Sequence, residues 1–248
     1  MSVEGARVLV TGGTSGLGLA MAQALAAAGA RVALTGREQD RAEAAAGPVG
    51  ALGVGMDVRD AGAVQRGVGT VLDAFGGLDV LVNNAGIGMR TVDPGFLTRP
   101  QPFWAVSPEG FTDLFATNVT GYFLVARAVV PAMVEAGRGT VVNVSINTAT
   151  QVRRGFVPYG PSRAATDALS AVMAADLEGT GVDVHVLLPG GATATGMIPD
   201  DLPESARAGL LDPGVMGPPV LWLAGGGARG RTGLRVVAND PATWGQQA

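Results

Sequence analysis

The chain has 248 residues, 47% hydrophobic and 15% charged, with 39 glycines, which suits one well-buried α/β domain and is short for two. Its net charge of -4 argues against nucleic acid or an anionic membrane as partner. The lack of cysteine and the single histidine, His185, exclude disulfides, thiolate catalysis and Cys- or His-cluster metal sites, so no metal is expected.

Apolar runs alternate with helical patterns from end to end. Arg7–Thr11 reads as a strand and Leu17–Ala28 as a helix. Arg31–Thr35 and Ala51–Met56 read as strands, Ala61–Phe75 as a helix and Leu78–Asn83 as a strand. Phe111–Met133 reads as a long helix, Thr140–Ser145 as a strand, Pro161–Leu177 as a helix and Val182–Leu188 as a strand; Leu234–Ala238 closes the series as a short strand. The strands are continuous Val/Leu runs without a polar face, as in a parallel sheet covered on both sides. The expected fold is therefore α/β: one doubly wound Rossmann domain over residues 1–248, with about seven parallel strands flanked by helices. The N-terminus lacks a charged-then-apolar leader pattern, and no uninterrupted apolar run approaches the ~20 residues of a membrane helix, so a cytoplasmic location is expected.

Two stretches break the alternation. Gly88–Pro108 carries four prolines with Phe96, Phe103 and Trp104, and Gly190–Pro213 is rich in Gly, Pro and Thr. Both follow strands at the expected carboxyl edge of the sheet, where open α/β folds bind ligands. The aromatics of the first stretch either line a substrate pocket or pack the loop down.

The first strand ends in Thr11-Gly12-Gly13-Thr14-Ser15-Gly16-Leu17-Gly18 and a helix follows at once. Glycines at 12, 16 and 18 permit a tight turn and close backbone approach to a pyrophosphate, and the helix start supplies free N–H groups. That placement points to a dinucleotide site rather than a merely structural turn. The second strand ends in Thr35-Gly36-Arg37, where an acidic residue would select NAD. Arg37 suits a 2′-phosphate, so NADP is favoured over NAD, although a solvated surface arginine is the plainer alternative.

The TGxxxGxG spacing resembles the glycine motif of the short-chain dehydrogenase/reductase family, and further matches follow in order. Asp57-Val58 matches the pair that cups the adenine, and Asn83-Asn84-Ala85-Gly86 is similar to the NNAG motif. Asn118 matches the asparagine of the long central helix. Tyr159-Gly160-Pro161-Ser162-Arg163 is similar to the YxxxK segment, and Pro189-Gly190 matches the turn after the sixth strand, with Thr193 as a carboxamide contact. The resemblance implies hydride transfer between nicotinamide and a carbonyl or alcohol carbon of a small-molecule substrate. Tyr159 would be the general acid/base, the cation at 163 its electrostatic partner and ribose clamp, and Asn118 the anchor of a relay water. A homodimer or homotetramer packed through the two long helices is also implied, and the small-residue face Ala164, Ala165, Ala168, Ala171, Ala174 and Ala175 is consistent with it.

Two positions depart from the family pattern. Position 163 is arginine in a chain without lysine; a guanidinium favours tyrosinate but is a poor proton relay. The family's substrate-orienting serine falls by count on Ile146, and Ser145, Asn147 or Thr148 would have to substitute. These departures keep two alternatives open: a cofactor-binding protein without redox turnover, and a dehydration, isomerisation or cyclisation catalyst. His185, inside the sixth strand, reads as a satisfied core or interface histidine rather than a catalytic one.

Overall fold

A computed structural model describes residues 2–244. The strands are β1 (Arg7–Val10), β2 (Arg31–Gly36), β3 (Leu52–Gly55), β4 (Val80–Asn83), β5 (Gly139–Val144), β6 (Val182–Leu188) and β7 (Arg235–Val237). All are parallel and form one sheet in the order β3-β2-β1-β4-β5-β6-β7. The order reverses between β1 and β4, and the crevice beyond their carboxyl ends is where such sheets bind ligands.

The helices are α1 (Gly16–Ala27), α2 (Gln39–Ala46), α3 (Ala61–Phe75), α4 (Pro108–Phe115), α5 (Gly121–Glu135), α6 (Thr148–Gln151), α7 (Tyr159–Asp176), α8 (Glu204–Arg207) and α9 (Gly217–Ala224). Alternate strand residues feed two cores. Val8, Val10, Val82 and Val142 pack with Met21 and Leu25 of α1 and Val220 of α9. Leu9, Leu81, Val141 and Val184 pack with Val64 and Val68 of α3 and Val125 and Val129 of α5. Each buried side chain of this size contributes about 2 kcal/mol relative to exposure.

Three differences from the sequence reading have physical causes. Helix α2 is strongly polar and buries only Ala42 and Ala46, so it carries little apolar periodicity. Helix α9 opens on Pro218-Pro219, residues that read as breakers yet suit a first helical turn. The long helix starts at Pro108 instead of Phe111, because Ser107 caps it by accepting from the Gly110 N–H. Helices α4 and α5 are joined by a π-turn at Ala116–Thr120, so the rod runs unbroken from Pro108 to Glu135. By length and composition alone this rod could cross a membrane, although Arg127 and Asn118 interrupt it. Here it packs against α3, β4 and β5.

Candidate active site

The glycine turn after β1 is a cradle that side chains would fill. Gly12 has φ +63° and a Cβ there would stand 2.7 Å from Ala85 Cα; Gly16 has φ +56°. A Cβ on Gly18 would strike the Gly12 carbonyl and the Asn84 amide. Gly36 lies directly under Thr14, and an added Cβ would stand only 2.6 Å from Thr14 Cγ2, inside contact distance. The Ser15 side chain does not cap α1, which leaves the first-turn N–H groups at Leu17 and Gly18 to meet an anion. This arrangement fits a dinucleotide pyrophosphate. A cavity of about 590 Å³ adjoins it, between α1 and the second long loop, with Gly16, Gln23, Thr195 and Leu210 in its wall.

The segment after β4 is pinned to that turn. The Thr11 hydroxyl accepts from the N–H groups of Asn84 and Ala85, both at 3.0 Å. The Asn84 amide donates to the carbonyls of Thr11 and Gly12, again at 3.0 Å. Asn84 thus acts on the cofactor cradle by shaping the turn. Arg37 is exposed just beyond β2. Asp57 is held by Arg59, whose Nη2 donates to Oδ2 at 2.8 Å, and this bond keeps the carboxyl below its usual pKa. Val58 is buried against Gly121, where a Cβ would stand 2.7 Å from Val58 Cγ2.

Asn118 lies in the π-turn and is fully buried. Its Oδ1 accepts from the Ile87 N–H at 2.9 Å, and its Nδ2 donates to the Ile87 carbonyl at 3.0 Å and the Ser162 hydroxyl at 3.2 Å. Its own carbonyl accepts from Thr166. Both amide N–H groups and one lone pair of Oδ1 are engaged, and these bonds tie the NNAG segment to α7.

Tyr159 opens α7 and Arg163 sits one turn later on the same face, its guanidinium carbon 5.3 Å from the Tyr159 ring centre. Arg163 is 3% exposed and pairs with no carboxylate among the described residues. Burial works against its charge, but the neighbouring tyrosines outweigh it and hold the guanidinium above its usual pKa. Its Nη1 donates to the Tyr122 hydroxyl at 2.9 Å and the Val144 carbonyl at 3.0 Å. The Nη2 lies against Gly86, which has no side chain to exclude it.

The candidates for the missing serine differ in access. Ser145 Oγ is sealed and has no hydrogen-bond partner among the described residues. Asn147 donates to the Gly190 carbonyl at 2.9 Å, which ties β5 to the Pro189-Gly190 turn. Thr148 is exposed at the start of α6. Ile146 itself is half-buried, and its carbonyl accepts from Arg235 at 2.6 Å. Gly190 has φ +90° and faces the Asn239 side chain. Thr193 is buried and bridges to Leu211.

The first long loop divides its aromatics. Phe96 is buried with Met89 and Phe156 beside Tyr159, the Phe96 and Phe156 rings meeting edge to face at 5.4 Å. Phe103 and Trp104 are 67% and 76% exposed. Arg90 joins the two long loops, donating to the Ile198 carbonyl at 3.1 Å and pairing with Asp200; Thr98 donates to Asp201 at 2.8 Å. His185 is a core histidine, as expected, but neither ring nitrogen has a hydrogen-bond partner among the described residues, so the expectation of a satisfied ring is corrected. Burial lowers its pKa to about 4.

The residues that sequence reasoning missed are Tyr122, Ser162, Thr166 and Arg90. Ser162, Thr166 and Ser170 are spaced by four on α7, and this polar stripe on a buried face was a usable signal. Tyr122 stood among apolar residues and gave none.

The profile described as short chain dehydrogenase matches residues 6–204. The chain belongs to the short-chain dehydrogenase/reductase family. Gluconate 5-dehydrogenase of Gluconobacter oxydans is 36% identical over 194 residues, covering 76% of this chain and 72% of that protein. The dehydrogenase LinX of Sphingobium indicum, which acts on 2,5-dichloro-2,5-cyclohexadiene-1,4-diol, is 30% identical over 94% of both chains. Among solved structures, 3-ketoacyl-(acyl-carrier-protein) reductase from Brucella melitensis complexed with NADH gives a TM-score of 0.83 at 29% identity, covering 95% of this chain and 97% of that one. A short chain dehydrogenase from Burkholderia cenocepacia in complex with NADP gives 0.81 at 30%, covering 97% and 100%. As a short-chain dehydrogenase/reductase, this protein is an NAD(P)-dependent oxidoreductase with the family's Rossmann-like fold.

Proposed function

We propose that the protein is an NADP(H)-dependent carbonyl reductase or alcohol dehydrogenase for a small to medium apolar substrate. The observation that carries this reading is the buried, carboxylate-free Arg163 guanidinium one turn from Tyr159. A buried cation without an anionic partner is costly, and a developing phenolate at Tyr159 would repay that cost. The bound nicotinamide supplies or accepts the hydride. Tyr159 gives its phenolic proton to the substrate oxygen in reduction and takes it back in oxidation. Arg163 favours the phenolate and offers Nη2 to the ribose, while Asn118 and Ser162 fix the first turn of α7. The glycine turn and the start of α1 hold the pyrophosphate, with Val58, Ala85 and Gly86 along the adenine and ribose side and Pro189, Gly190 and Thr193 at the nicotinamide end. Arg37 meets the 2′-phosphate, which favours NADP over NAD. Phe96 and Phe156 form the apolar wall beside Tyr159. With Ser145 sealed and Asn147 engaged, Thr148 is the remaining candidate to orient the substrate oxygen.

The same reading treats residues 1–248 as one domain, supported by the single sheet running from Arg7 to Val237, and keeps the cytoplasm as its location. A homodimer or homotetramer is supported by the exposed Phe123 and Val172 and by Ala164, Ala168, Ala171 and Ala175, which lie exposed on one face of α7; of the expected small-residue face, Ala165 is half-buried and Ala174 packs into the core instead.

The test uses NADPH with a panel of ketones, aldehydes and quinones, followed by loss of reduced-nicotinamide absorbance. Turnover that disappears in Tyr159→Phe is expected. A second reading, cofactor binding without redox chemistry, is favoured by the sealed Ser145 and the donor-free Ile146. Turnover only in an Ile146→Ser/Arg163→Lys variant would establish that second reading.

A further inference from the structure

We infer that Tyr122 is a positioning residue that anchors the Arg163 guanidinium so that its free edge faces Tyr159 and the cofactor crevice. The inference rests on the proposed pairing of Arg163 with Tyr159.

The argument begins with the bonding needs of the arginine. A guanidinium has five N–H donors in a rigid plane, and in a buried site each orientation must find acceptors. Nη1 has two, the Tyr122 hydroxyl at 2.9 Å and the Val144 carbonyl at 3.0 Å. The Tyr122 hydroxyl donates in turn to the same Val144 carbonyl at 3.1 Å. Phenol, guanidinium and carbonyl therefore close a small ring of hydrogen bonds. Tyr122 is 1% exposed, and burial keeps it a neutral phenol that can accept from Arg163. On the opposite edge, Nη2 stands where a side chain on residue 86 would be. One residue thus supplies an acceptor and another supplies space.

The guanidinium carbon lies 5.6 Å from the Tyr122 ring centre and 5.3 Å from that of Tyr159. The cation sits between the chain's two tyrosines, one holding it and one served by it. These two phenols are the titratable groups that face it, from α5 and from its own helix. A lysine at 163 would present a single ammonium on a flexible stem and would not need this planar dock. Tyr122 is then specifically a companion to arginine.

Removing the hydroxyl releases one of the two acceptors of Nη1, and the cation no longer holds one orientation toward Tyr159. In Tyr122→Phe the kcat falls about tenfold, the expected loss of a hydrogen bond to a charged group. NADPH still binds. In an Arg163→Lys background the same change alters kcat less than about twofold, because the dock has lost its occupant.

A second readout needs no substrate or cofactor. With only two tyrosines, carbon NMR of ring-labelled tyrosine resolves Tyr159 in the apo protein. Its titration midpoint rises in Tyr122→Phe and does not move when Tyr122→Phe is added to Arg163→Lys. An unmoved midpoint in the single variant, or equal effects in both backgrounds, overturns the inference and leaves Tyr122 a packing residue. If Tyr122→Phe alone fails to fold while the double variant folds, the coupling is confirmed; failure of both overturns it. Should the wild-type protein neither bind NADPH nor turn over, the proposed function fails, and the NMR titration still decides the role of Tyr122.

Discussion

His185 makes stability depend on pH in a window where nothing else identified in the fold titrates with a comparable shift. Its ring is 1% exposed within β6 and neither nitrogen has a hydrogen-bond partner among the described residues, so protonation in place would bury a charge that Asp183 favours less than burial opposes. Burial lowers its pKa from 6.5 to about 4. The unfolded chain binds the proton first, so the contribution to stability is fully present above pH 6.5 and is lost as pH falls toward 4. At 1.36 kcal/mol per pKa unit, the full loss is about 3 kcal/mol. Asp57 and Asp79 have lowered values, held down by Arg59 and Arg7, and their contributions are lost only below the carboxylate range. Urea unfolding of wild type and His185→Phe across this window provides the measurement. The wild-type free energy should decline as pH falls from 6.5 and the variant's should stay nearly flat. Parallel curves would refute the assignment of the effect to His185, whatever the variant's absolute stability.

Three further outcomes follow from the site. Arg37→Ser should raise KM for NADPH about tenfold and leave KM for NADH unchanged, the loss of one charge-assisted contact to the 2′-phosphate; steady-state kinetics with both cofactors checks this. Gly86→Ala should cost about 1–3 kcal/mol and lower kcat, because the added methyl meets the Arg163 Nη2 and stands 3.0 Å from Asn118 Oδ1; thermal melting with kinetics reads both. Arg90→Ala should change stability by less than about 1 kcal/mol, since its partner Asp200 is exposed, while limited proteolysis within 88–108 and 190–213 quickens.

The sheet was legible because each strand is a short apolar run between turn residues, and seven such runs alternate with helical patterns. The glycine turn was legible because Gly12 and Gly16 need positive φ, a demand that shows directly in residue type. Less visible was what depends on three-dimensional neighbours. Asn118 falls inside an apolar stripe, and only its position opposite Ile87 reveals that both sides of its amide are bonded to that backbone. Ser145 and Asn147 flank Ile146 and looked interchangeable as donors; the end of β5 seals one and the Pro189-Gly190 turn occupies the other. Tyr122 could not be linked to Arg163 from sequence, since 41 residues separate them and no periodicity relates them.

The contacts around the site fall into two kinds with different consequences. Beneath the reacting groups lies a buried polar network. Asn83 donates to Asn143 at 3.0 Å and Asn143 to Ser170 at 2.8 Å, while Asn118 and Thr166 join the π-turn to α7. Low local dielectric strengthens such bonds and makes each loss costly, so Tyr159 and Arg163 stand on a stiff base. Above the crevice, Arg90, Asp200, Thr98 and Asp201 join the long loops through exposed side chains, where water competes for every bond. Opening those loops is therefore inexpensive, whereas displacing the base is not. It follows that substitutions in the network should lower kcat and stability together, and substitutions in the loop contacts should act mainly on KM. On the proposed function, acid–base geometry would belong to the residues between the sheet and α7, and substrate selection to the two loops that meet at Arg90.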